Sequence, residues 1–78
     1  MTDKIKDCLM AAVAEMPGDF RLVVETRGVN VVWTSAGLVP GLRQSKMVTW
    51  FSLETRSTNA ILDAVQELEE EARGADTI

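Results

Sequence analysis

Carboxylates near the C-terminal end and one thiol are the side chains of this chain best suited to chemistry. Asp63, Glu67, Glu70 and Glu71 recur at helical spacing and offer oxygens of the kind hard cations take. One helix cannot surround an ion, and no second carboxylate cluster stands elsewhere to complete a coordination shell, so no metal site is expected. Cys8 sits among apolar neighbours. A nucleophilic thiol needs a base or a cationic environment, and the 78 residues contain no histidine. Paired-carboxylate hydrolysis needs a deep cleft, which a domain of this size has little room to build. There is no phosphate-cradling glycine loop and no seat for a cofactor. The expectation is a binding protein, not an enzyme.

The formal charge of −4 is unevenly distributed. From Asp19 to Arg56 five basic residues (Arg21, Arg27, Arg43, Lys46, Arg56) stand against three acidic ones (Asp19, Glu25, Glu54). From Ser57 onward Arg73 alone faces Asp63, Glu67, Glu69, Glu70, Glu71 and Asp76, which makes the C-terminal segment the negative pole. Like charges crowded near a helix C-terminus oppose both one another and the helix dipole. They are therefore either a solubilising face or a surface that attracts a basic partner.

The elements that position these residues follow from periodicity. Thr2 can cap a first helix, expected over about residues 3–16, whose stripe is Ile5, Cys8, Leu9, Ala12, Val13 and Met16; Pro17-Gly18 ends it. From Phe20 the period becomes two, and strands are expected over about 20–27 and 29–35, joined by a turn at Arg27-Gly28. That turn sets Thr26 against Val29, Val24 against Val31 and Leu22 against Trp33. A third strand is expected over about 46–53, with Met47, Thr49, Phe51 and Leu53 on one face and Val48, Trp50 and Ser52 on the other. Ser57 or Thr58 then caps a helix over about 58–73, with Ile61, Leu62, Val65, Leu68 and Ala72 as its stripe and Gly74 as its stop.

The expected fold is thus one α+β domain in the order α-β-β-β-α, a three-stranded antiparallel sheet with two helices packed on one face. Leu22, Val24, Val31, Trp33 and Phe51 would meet both helical stripes in the core. A core this small contributes only about 3–5 kcal/mol, so dimerisation is a natural supplement. The apolar runs are far shorter than the roughly 20 residues a membrane span needs. One cysteine and an acid-interrupted first segment point to the cytoplasm, without a secretory leader.

Three surfaces stand out as partner-binding candidates. On the open sheet face, Val23 and Val32 lie across from one another in the expected register, and Val48 and Trp50 join them inside a polar rim. In the loop between Ser35 and Ser45, Leu38, Val39 and Leu42 are apolar where loops are usually polar. The third is the acidic helix, through Asp63, Glu67, Glu70 and Glu71. A protein partner with a basic surface suits these features; a homodimer is the alternative, and neither a nucleic acid nor a membrane is expected.

The element order resembles that of double-stranded RNA-binding domains, which grip phosphate with lysines at the start of the second helix. Here that stretch is Glu54-Thr55-Arg56-Ser57-Thr58-Asn59-Ala60, with one arginine, so the topology is similar without the cations phosphate binding demands. In size, acidity and lack of catalytic equipment the chain is similar in type to the small inhibitors that phages and other mobile elements encode, anti-CRISPR proteins among them. That likeness implies an inhibitor that covers a basic or nucleic-acid-binding surface of a host protein. A homodimeric accessory subunit or chaperone-like adaptor is the runner-up, and a degenerate RNA-binding-like domain the third reading.

Overall fold

A computed structural model describes residues 3–35 and 41–76. The order is α1 (Asp3–Glu15), β1 (Phe20–Val24), β2 (Gly28–Trp33), β3 (Ser45–Thr49), α2 (Trp50–Arg56) and α3 (Thr58–Asp76). The strands form one antiparallel sheet in the order β1-β2-β3. This is the expected small α+β fold, with a third helix where the second half of the third strand was expected. The Thr2 cap lies outside the described residues.

That extra helix begins because Thr49 caps it: its Oγ1 accepts the Ser52 amide N–H at 3.2 Å, and its backbone stays extended. The alternation Met47-Thr49-Phe51-Leu53 therefore breaks after Thr49. Phe51 projects outward, 73% exposed, while Leu53 turns into the core. The last turn of α2 gives way to α3 through Ser57, whose N–H donates to Leu53 O at 3.0 Å and whose φ of 56° lies where side chains are disfavoured. α3 runs past Gly74 to Asp76, since an exposed helical glycine costs only about 1 kcal/mol.

The hairpin is shifted by two residues from the expected register. Glu25 and Gly28 exchange both backbone hydrogen bonds, at 2.8 and 3.3 Å, so Thr26-Arg27 forms the turn. Leu22 then faces Val31, Val24 faces Val29, and Val23 faces Asn30. A two-residue shift preserves the faces, because side chains alternate with period two. Gly28 is needed for a different reason: a Cβ there would lie 2.1 Å from Val48 O, so only glycine lets β2 and β3 approach.

The core lies between one sheet face and the helices. Phe20, Val29, Val31 and Val48 from the sheet meet Ile5 and Ala12 of α1, Leu53 of α2, and Ala60, Ile61, Ala64, Val65 and Leu68 of α3. Ala60 and Ala64 keep the stripe of α3 low where it meets its neighbours. Cys8 is buried as a free thiol. Of the expected core residues, Val31 is buried and Leu22 and Trp33 are half-buried, whereas Val24 and Phe51 are exposed. Trp33 stacks on Phe20 with ring centroids 5.3 Å apart. Its Nε1 donates to Asp19 Oδ2 at 2.7 Å, and that bond holds the carboxyl below its usual pKa against the opposing effect of partial burial.

Candidate functional site

β3 is turned over relative to its expected orientation, because Val48 pairs with Val29 and so shares its helix-covered face. Val48 is 5% exposed and belongs to the core. Trp50 has left the sheet and opens α2. Its backbone N–H donates to Arg27 O at 3.3 Å and its indole Nε1 to Thr26 O at 2.9 Å, which pins the hairpin turn to the start of that helix. Neither residue is on the open face.

On the open face Val23 lies beside Asn30, and Val32 lies between Arg21 and Ser45. Met47, opposite Asn30, is also exposed there. Apolar and polar side chains thus alternate instead of merging into a patch. Leu42 is half-buried; Leu38 and Val39 lie outside the described residues.

The acidic face of α3 is engaged within the chain. Arg43 reaches Glu71 at 3.3 Å and Glu67 at 3.6 Å. Lys46 also bonds Glu67, Arg56 pairs with Asp63, and Glu70 accepts the side-chain amide of Gln66 at 3.1 Å. The cations come from the loop before β3, from β3 and from α2, so they meet these carboxylates only after folding. Lys46, Arg56, Asp63 and Glu67 border a polar cleft of about 350 Å³ between β3, α2 and α3. Exposed pairs of this kind are worth about 0–1 kcal/mol each, yet they neutralise a surface that reads as strongly negative in sequence. Among the described residues there is no group of three or more acidic, cysteine or histidine side chains placed to hold a metal ion.

A fourth surface emerges that the sequence does not announce. Between α1 and β1 lies an apolar groove of about 330 Å³ lined by Leu9, Met10, Val13, Leu22 and Val24. Met10 is 66% exposed, Val13 57% and Val24 54%. Of the helix stripe read from periodicity, Ile5, Cys8 and Ala12 are buried, Leu9 and Met16 half-buried, and Val13 falls outside. Met10 was not part of that stripe at all. The signal was its width: Leu9, Met10 and Val13 extend the apolar arc beyond what a three-stranded sheet with α3 already seated on it can cover.

β1 is an edge strand, so the groove runs beside unpaired backbone groups. Alternation of the antiparallel ladder assigns them: Glu25 bonds toward β2, hence Val24 and Leu22 aim their N–H and C=O groups outward. The site thus combines large apolar side chains with a strand edge, the two elements by which an extended segment is captured. No family model matches the chain, and neither a curated protein nor a solved structure matches it.

Proposed function

We propose that the protein is a small acidic protein–protein interaction module whose contact surface is the groove between α1 and β1. The observation that carries this reading is three large apolar side chains, Met10, Val13 and Val24, each more than half exposed and converging on one groove beside an open strand edge. Leaving such a surface in water is costly by about 25 cal/mol per Å² of apolar area, which a partner recovers on binding. The contribution of Asp63, Glu67 and Glu71 to recognition is modest in this reading, because cations of the same chain meet them. Arg43, Lys46 and Arg56 are committed to those pairs, which argues for a protein rather than a nucleic acid as the ligand. An inhibitor that covers a functional surface of its target is one use of such a module. The single free cysteine favours a reducing compartment, the cytoplasm. Among the described residues no helix is long and apolar enough to cross a membrane.

The test is affinity capture with the wild-type chain beside Val13→Glu, a change at an exposed position that places a carboxylate in the groove. A stoichiometric partner retained by the wild type and lost by the variant supports the proposal. Equal retention by both would move the contact surface elsewhere.

A further inference from the structure

We infer that the occupant of the groove is a second copy of this chain, joined β1 to β1 in an antiparallel pairing centred on Val23 that makes one six-stranded sheet. This rests on the reading of the groove as a contact surface and names its partner.

The two edges of the sheet are treated differently. At β3 the Ser45 carbonyl accepts from Arg43 Nε at 3.2 Å, and Arg43 and Lys46 are held in place by Glu67 and Glu71, so charged side chains guard that edge. Among the described residues no side chain bonds an outward backbone group of β1. Its outward backbone groups belong to Leu22 and Val24, the same two residues that floor the groove. In a pairing centred on Val23, Leu22 of one copy lies opposite Val24 of the other, twice by symmetry, and each pair can exchange two backbone hydrogen bonds.

The faces agree as well. A two-fold axis through Val23 and normal to the sheet pairs even-numbered residues with even-numbered ones, so the helix-covered faces of both copies fall on the same side. The two grooves then meet over the seam, and Met10, Val13 and Val24 leave water together. An axis lying in the sheet plane would instead put the grooves on opposite sides and leave all three exposed.

Charge selects the register. About Val23 the sequence is antisymmetric: Arg21 and Glu25 stand two residues to either side, and Asp19 and Arg27 four residues to either side, with opposite signs in each case. Antiparallel pairing on Val23 therefore sets Arg21 against Glu25 at both ends of the seam. Centring on Leu22 sets Asp19 against Glu25, and centring on Val24 sets Arg21 against Arg27. Directly opposed like charges destabilise a sheet and unlike ones support it.

The experiment is sedimentation equilibrium of the full chain, Arg21→Glu, Glu25→Arg, the double variant and an equimolar mixture of the two single variants. Circular dichroism checks each fold, and both positions are exposed, so folding is expected to survive. Wild type is expected at twice its 8.6 kDa mass. Each single variant opposes like charges at both ends of the seam and should weaken the dimer by about 10- to 100-fold. The mixture restores both unlike pairs in a heterodimer and the double variant restores them in a homodimer, so both should recover. A wild type that stays monomeric, or a dimer indifferent to these changes, overturns the inference. A monomer whose foreign partner is lost with Val13→Glu would overturn the second copy while leaving the groove as the binding surface.

Discussion

Replacing Gly28 by alanine should destabilise the protein severely, through the closest approach in the sheet. The added Cβ would lie 2.1 Å from Val48 O, 2.8 Å from Thr49 Cα and 2.9 Å from the Val48 carbonyl carbon. All three obstacles are backbone, so no rotamer change relieves them, and β3 must move by about 1 Å. Overpacking of this kind costs about 1–3 kcal/mol, and a backbone obstacle belongs at the upper end. The displacement also carries Thr49 and Trp50 away from the turn, where Trp50 donates to Arg27 O and Thr26 O. Stretching those two bonds without breaking them adds about 0.5–1 kcal/mol between them. The combined loss is about 3–4 kcal/mol, much of the stability of a domain this small. With a urea slope near 1 kcal/mol/M, the unfolding midpoint should fall by about 3 M, or the variant should be unfolded without denaturant. A midpoint within about 0.5 M of wild type would refute the close packing of β2 on β3 at Gly28.

Ser57→Gly should stabilise the chain by about 1 kcal/mol, read from the same denaturation, because φ is 56° at a residue that carries a side chain. Trp50→Phe keeps an aromatic ring but removes the bond to Thr26 O and part of the contact with the core, and should cost at least about 0.5–1.5 kcal/mol with the fold intact by circular dichroism. The Asp19 carboxyl has its folded pKa lowered chiefly by the Trp33 indole, so its support is complete above the ordinary carboxylate range and is lost as pH falls through the lowered value. Asp19→Asn should therefore lower stability at neutral pH and flatten the acid limb, so that denaturation midpoints of wild type and variant converge as pH falls. Glu67→Gln, which weakens the pairs to Arg43 and Lys46, should shift stability by less than about 1 kcal/mol, and the shift should shrink in high salt.

Much of the architecture is legible from pattern alone. The period of 3.6 in α1 and α3, the alternation from Phe20 and the Pro17 break carry the order of the elements and the parity of the hairpin faces. The errors arise where two patterns compete. Thr49 to Leu53 satisfies a strand alternation, yet Thr49 is also a cap and Leu53 finds a core position four residues on, so helix wins and Trp50 and Phe51 change environment. Gly28 reads as a turn glycine, but its function is contact with Val48, and the turn moves to Thr26-Arg27. Residues of the acidic run read as unpaired because Arg43, Lys46 and Arg56 are 7 to 28 residues distant in sequence from the carboxylates they meet. The groove is least legible, since amphipathic spacing tells which residues can face a core and not how wide that core is. Met10, Val13 and Val24 are what remains uncovered once α1 has packed on the sheet.

Amide hydrogen exchange along the chain, free and in complex with whichever partner it retains, its own copy included, tests the groove most directly. The amides of Leu22 and Val24 point out from the sheet edge and should exchange rapidly in the free protein, then become protected in the complex together with the backbone around Met10 and Val13. Protection confined to α3 or the open sheet face, with Leu22 and Val24 unchanged, would contradict the assignment of this groove as the binding surface.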